Sequence, residues 1–283
     1  MNANILLLGS SGQVGTALAR HLDQIIAPSR REFDLAEASH GAVRQLIDSA
    51  RPNAIINCAA YTAVDQAEDE AAIANLVNGD AVGMLAEVAA GSGLPFVTFS
   101  TDYVFDGRGS RPYVESSPPD PINAYGRSKL IGERLALAAN SKTLVIRTSW
   151  VISGTHPNFV ASMLRLAGEG RSLRVVDDQH GCPTVAADLA LATIDAMNLG
   201  ASGVLHLTNQ GATTWFDLAR AAVMEAGLDP ELVLPCTTAE YPTRARRPAY
   251  SVLGSERIVE IGVNPLPPWQ DSLPPLVQQL TTP

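Results

Sequence analysis

The sequence predicts an α/β protein built on a doubly wound parallel sheet, on three observations. Short apolar runs alternate with amphipathic stretches through the first half of the chain. Those runs are continuous rather than two-periodic, as in strands buried on both faces. The first run ends in a glycine-rich turn that opens a helical pattern. Strand–helix alternation repeated this often, with right-handed crossovers, gives a parallel sheet with helices on both faces.

Strands are expected at Asn4–Leu8, Gln24–Ala27, Ala54–Cys58, Pro95–Ser100 and Thr143–Arg147. Between them lie helical patterns at Gly12–Leu22, His40–Ala50, Ala71–Ala90 and Ala124–Ala139. After Trp150 the regularity stops. A helix is expected at Asn158–Ala167, a strand–helix pair at Leu173–Val176 and Val185–Met197, a strand at Val204–Leu207 and a helix near Trp215–Ala226. The tail with Pro265, Pro267, Pro268, Pro274 and Pro275 reads as irregular structure laid over a domain, since proline breaks helices and ladders. Residues 1–150 thus form one domain, to which the chain returns at about 173–198; residues 151–172 and 199–283 form a smaller lobe.

The 283 residues carry 20 basic and 29 acidic side chains, a net charge of −9, which argues against a nucleic-acid partner. Hydrophobic residues are 46% and charged residues 17%, enough to build a sizeable core. No apolar stretch reaches the roughly 18–20 residues that span a bilayer, and the start has neither a basic segment nor a small-residue cleavage site. Cys58, Cys182 and Cys236 and the five histidines match no metal-ligand spacing. The expectation is a cytoplasmic protein with reduced thiols, no metal and no membrane partner.

Gly9-Ser10-Ser11-Gly12-Gln13-Val14-Gly15 lies between the first strand and the first helix. Gly9 permits the sharp turn, Gly12 lets a diphosphate approach the backbone, and Gly15 lets the helix pack closely. Free N–H groups and the positive helix end then hold phosphates, so a Rossmann dinucleotide site is expected, with Gln13 and Val14 in the loop. The acidic residue that holds an unphosphorylated ribose is missing after the second strand, where Ser29, Arg30 and Arg31 stand. Arginine suits a 2′-phosphate. NADP(H) is therefore expected in preference to NAD(H), with dual use open, and Asp34 and Leu35 near the adenine end.

Tyr125-Gly126-Arg127-Ser128-Lys129 is a Y-x-x-x-K pattern that places phenol and ammonium one helical turn apart. A nearby ammonium favours phenolate and moves its pKa towards working pH. Thr101, at the end of the preceding strand, can polarise a carbonyl.

Glycine loop, Thr101 and Y-x-x-x-K in this order resemble the extended short-chain dehydrogenase/reductase superfamily. Within it, the chain is similar to the dTDP-4-dehydrorhamnose reductase family over essentially its whole length. The resemblance is carried by Asn57–Asp65 (NCAAYTAVD), Ser100–Gly107 (STDYVFDG), Leu130, Gly132 and Glu133 after the Y-x-x-x-K, and Arg147–Val151 (RTSWV). It continues in Val176–Gln179 with Gly181, Pro183 and Thr184, and in Arg247-Pro248 with Ser251 and Leu253. The resemblance implies Thr101, Tyr125 and Lys129 as catalytic residues, and Asp102, Tyr103 and Trp150 on the sugar side. It implies Ala59, Ala60 and Tyr61 along the cofactor, and Arg247 at the substrate's diphosphate. The implied reaction reduces the C4 ketone of a dTDP-linked 4-keto-6-deoxyhexose with NAD(P)H to give dTDP-L-rhamnose. Two alternatives stay open: a reductase of another dTDP-4-keto sugar, or a nucleotide-binding regulatory subunit without turnover. Where the family often has tyrosine after RTSWV, this chain has Ile152; Ala17 and Ala187 replace carboxylates that bridge dimers through a metal in some members. No metal-bridged dimer is expected, and a monomer or a homodimer is.

Overall fold

The structure is a computed structural model that describes residues 4–282. β1 (Asn4–Leu8) runs through the glycine turn into α1 (Gln13–Ala19), and β2 (Gln24–Ile26), α2 (His40–Ala50) and β3 (Ala54–Asn57) follow. α3 (Ala71–Asn75) passes through one π turn at Leu76–Asp80 into α4 (Ala81–Gly91). β4 (Phe96–Thr101), α5 (Ala124–Ala139) and β5 (Thr143–Thr148) complete the regular part. Then come β6 (Val151–Ile152), α6 (Phe159–Gly168), β7 (Leu173–Val176), β8 (His180–Gly181), β9 (Thr184–Val185), α7 (Ala186–Asn198) and β10 (Gly203–His206). β11 (Thr213–Thr214), α8 (Trp215–Glu225), β12 (Val233–Cys236), α9 (Arg257–Ile261) and α10 (Trp269–Thr281) end the chain.

Six parallel strands form the main sheet in the order β10-β5-β4-β3-β1-β2. Successive side chains leave on opposite faces. Ile5 and Leu7 pack with Leu18, Leu189 and Ile258 on one side, whereas Leu6 and Leu8 pack with Val43, Val82 and Leu85 on the other. Burial on both faces explains why the strands read as unbroken apolar runs. The strand order reverses between β1 and β3, and the crevice outside their carboxyl ends is where ligands bind in such sheets.

Three features differ from the sequence reading. β7, expected to return to the main sheet, pairs instead with β12 in a separate two-stranded sheet. Its LRVV pattern buries Leu173 and Val175 while Arg174 faces out to Glu240, so it buries one face where a central strand buries two. β10, read as part of the smaller lobe, is the sixth strand of the main sheet, and α7 packs beside α1 as a returning helix should. The proline-rich tail is also more regular than expected, because Pro274 and Pro275 lie inside α10. Both lack an N–H to donate; the helix is held by Trp269, Leu273, Leu276 and Val277, which bury one face against α8.

α5 and β5 are joined by a buried ion pair. Arg147 donates from Nε to Oε1 of Glu133 at 2.9 Å and from Nη2 to Oε2 at 2.7 Å. Both side chains are under 5% exposed, at 4% and 3%, and the Phe105 ring lies 5.2 Å from the guanidinium carbon. Removing one partner strands the other's charge. Glu133→Gln is therefore expected to lose about 3–5 kcal/mol of stability, read by urea unfolding; a loss under about 1 kcal/mol, typical of a surface pair, would contradict this.

Candidate active site

A cleft of about 1080 Å³ opens at the carboxyl ends of the main strands. It runs from Ser29, Arg30, Asp34 and Leu35 past the glycine loop and Ala59–Thr62 to Thr101, Asp102, Tyr125, Lys129 and Trp150. The loop is shaped by its glycines. Gly9 has φ +73°, and a Cβ there would meet the Ala59 nitrogen at 2.5 Å. A Cβ on Gly15 would lie 2.2 Å from the Gly9 oxygen, so its close approach is to the loop's own backbone rather than to the sheet. At Gly12 the nearest atom to a Cβ is the Gly9 oxygen at 3.5 Å, and no side chain caps the start of α1. That leaves a cradle open for phosphate beside unclaimed backbone donors. The residues present fit a nicotinamide dinucleotide.

The far end of the cleft is built by α5. Asn123 caps the helix, accepting from Gly126 N–H at 2.7 Å. A Cβ on Gly126 would fall 2.1 Å from the Tyr103 oxygen, and one on Gly132 would fall 2.0 Å from the Asn78 oxygen. Two glycines therefore let α5 press against the short 3-10 turn Asp102–Val104 after β4 and against the π turn before α4. In that π turn the buried Asn78 amide accepts from Tyr61 N–H at 2.8 Å and donates to Tyr61 O and Ser128 Oγ, both at 2.9 Å. The backbone at Tyr61 and the segment carrying Tyr125 and Lys129 are thereby tied together.

Burial sets the protonation of the site. Tyr125 is pushed up to about 12 by burial and by the Asp102 carboxylate, with the Thr101 hydroxyl opposing. Lys129 is pulled down to about 8 by burial, against Glu133 and Cys58. The sequence reading had Lys129 moving the phenol towards neutrality; burial and Asp102 move it the other way. Asp102 is raised to about 7 by burial, and its Oδ2 is buried with no partner among the described residues. Thr101 donates to Asp102 Oδ1 at 3.0 Å and accepts from Tyr103 N–H at 3.1 Å.

Most residues singled out from sequence line this cleft; Tyr103 and Arg247 do not. The Tyr103 ring sits edge-on to Tyr125, with centroids 6.0 Å apart, and Arg247 is paired with Asp65 at 2.9 Å. Ser29 and Arg30 reach the lip with their polar groups engaged. Ser29 N–H and Oγ both donate to Glu32, and Arg30 Nε donates to Asp34 at 2.9 Å. Arg31 lies outside the cleft. Ile152 is a core residue against β9 and not a lost cleft contact. Sequence reasoning missed a strap, residues 151–157, that crosses the glycine loop. Gln13 donates to Val151 O, Ser153 to Gln13, and His156 Nε2 to Ser11 O at 2.9 Å. Only its place just after a strand's carboxyl end could have flagged it. Trp150 holds φ +46° and stacks on Trp215 at 3.7 Å; a Cβ on Gly181 would run into its ring at 2.5 Å.

The family model described as RmlD substrate binding domain matches residues 3–282. The dTDP-4-dehydrorhamnose reductase of Burkholderia thailandensis is 41% identical over 94% of this chain and 95% of its own. The chain belongs to the dTDP-4-dehydrorhamnose reductase family. It is an NAD(P)H-dependent oxidoreductase. The dTDP-4-keto-6-deoxy-D-glucose reductase of Streptomyces niveus is 40% identical over 95% of this chain and 94% of its own. The Bacillus anthracis dTDP-4-dehydrorhamnose reductase, solved in complex with NADP, superposes with a TM-score of 0.94 at 33% identity, covering 99% of this chain and all of that one. Family membership thus accords with the parallel sheet, the glycine cradle and the cleft.

Asp102 makes stability pH-dependent. Its folded pKa, about 7, lies above its ordinary 3.8, so its contribution is full below pH 4 and is lost as pH rises through 7. His206, lowered to about 4 by burial, works in the opposite sense. Comparing the native chain with Asp102→Asn in urea cancels His206. The variant's stability relative to the native chain should rise between pH 4 and pH 7, by on the order of 4 kcal/mol; a constant difference would show that Asp102 does not titrate there.

Proposed function

We propose that this chain reduces the C4 ketone of dTDP-4-dehydro-L-rhamnose to give dTDP-L-rhamnose. The observation that carries the reading is that Tyr125, Thr101 and Lys129 line one end of a dinucleotide-shaped cleft, with the half-buried phenol's pKa pushed up to about 12. The names of the relatives support the substrate class, a dTDP-linked 4-keto-6-deoxy sugar. When bound, the reduced nicotinamide supplies the hydride.

The chain's residues do the rest. Tyr125 gives its phenolic proton to the ketone oxygen as negative charge develops there. A phenol held protonated by burial suits this direction, since it enters each turnover as the acid. Thr101 turns its hydroxyl from Asp102 to the same oxygen, which supplies a donor to the developing charge. Lys129 would stabilise the tyrosinate left behind and would help to hold the cofactor. Trp150 and Asp102 line the sugar side, Ala59–Tyr61 pass along the cofactor, and Arg247 meets the substrate's diphosphate. The hydroxyls and carboxyl at the cleft's end support an enzyme rather than a non-catalytic nucleotide-binding subunit.

Tyr125→Phe should keep fold and cofactor affinity while lowering turnover by roughly 10²–10⁴-fold, measured as NADPH oxidation with dTDP-4-dehydro-L-rhamnose and product stereochemistry by NMR. Near-native turnover, or a product other than L-rhamnose, would reject the assignment.

NADPH should be preferred over NADH, because Arg30 can leave Asp34 for a 2′-phosphate. Glu32 and Asp34 temper that attraction, so the preference is expected to be about tenfold at most. It should shrink with salt and vanish in Arg30→Ala. Fluorescence titration of both cofactors at low salt checks it; equal affinities in the native chain would refute it.

A further inference from the structure

We infer that Asp65 is a positioning residue that presents the Arg247 guanidinium to the diphosphate of the substrate. The inference rests on the proposed nucleotide-sugar substrate. Asp65 stands at the end of the loop that leaves β3 and lines the cleft through Ala59–Thr62. Its Oδ2 accepts from Arg247 Nη2 at 2.9 Å, and its Oδ1 accepts from the Ala245 backbone N–H at 2.9 Å. Arg247 Nη1 in turn donates to the Ala245 carbonyl at 3.0 Å. Carboxylate, guanidinium and the backbone of one residue, Ala245, thus close a ring.

That ring fixes the guanidinium without exhausting it. A guanidinium has five N–H donors in a rigid fork. Two are used here, so three are left for an anion. The segment around it is held as well. Arg244 pairs with Asp69, and Asn123, which caps the helix carrying Tyr125, donates to the Arg246 carbonyl at 2.9 Å. Residues 244–247 are therefore anchored both to the cofactor-side loop and to the catalytic helix. The Arg247 side chain is 15% exposed, against 45% for Asp65. A long side chain already held in place loses less freedom when an anion arrives. The opposite role, Asp65 masking Arg247, would make removal of the carboxylate strengthen anion binding.

The test uses the NADP-loaded enzyme, with dTDP binding by calorimetry and steady-state kinetics on the dTDP-sugar. Asp65→Ala should weaken dTDP binding and raise KM about tenfold, with kcat and NADPH affinity unchanged. Asp65→Asn, which keeps an acceptor for Ala245 N–H without the charge, should fall between. Arg247→Ala should weaken dTDP binding, and adding Asp65→Ala to it should cost nothing more. Native or tighter dTDP binding in both Asp65 variants, with Arg247→Ala still weakened, overturns the positioning role and leaves the substrate reading intact. Native dTDP binding in Arg247→Ala removes Arg247, and Asp65 with it, from substrate recognition.

Discussion

The buried amide of Asn78 is the tie on which the cleft's geometry depends. One extra residue in the turn between α3 and α4 sets this side chain between two walls that are far apart in sequence. Its three hydrogen bonds satisfy the backbone at Tyr61 on one side and Ser128 on the other. A buried polar group that is fully paired specifies one arrangement, because any alternative leaves donors unmatched in a dry interior. The glycine at 132 completes the constraint by letting α5 rest on the Asn78 carbonyl. Tyr125 and Lys129 are therefore placed by the same group that places the Ala59–Tyr61 wall.

Around that frame, burial favours the neutral form of each titrating group. Burial raises Tyr125 and Asp102 and lowers Lys129, so each group moves towards its neutral form, as desolvation requires. Glu133 opposes this for Lys129, and Glu133 is itself held by Arg147 on the neighbouring strand. A single buried line of charge thus links the core of the sheet to the helix that carries Tyr125 and Lys129. The acidic loop of Asp65, Glu68, Asp69 and Glu70 does parallel work at the surface: Asp65 and Asp69 engage Arg247 and Arg244, Glu68 accepts from Ala124 N–H, and Glu70 accepts from Tyr61.

Much of this was legible in the sequence, for physical reasons. Strands buried on both faces have no choice but to read as apolar runs, and a turn as tight as Gly9–Gly15 has no choice but glycine. The lost cases share one cause, partners that only the folded chain brings together, some four residues away and some far along the sequence. Arg30 reads as a free cation until Asp34 is seen one turn away, and Tyr125 reads as tuned by Lys129 until Asp102 is found behind it. β7 has the composition of a core strand, and only its pairing with β12 places it elsewhere. α10 carries two prolines that argue against a helix, and the burial of Leu273, Leu276 and Val277 overrides them.

Trp150 and Trp215 stack nearly face to face, at 11° between planes, one just after β5 and the other opening α8. Two indoles this close share their excited states. Coupling of their strong transitions is expected to give the far-ultraviolet dichroism of this protein a signed pair of bands whose size depends on how the two rings are turned. Since Trp150 also lines the cleft, the molecule carries its own optical gauge of how its two parts are turned, readable without any label.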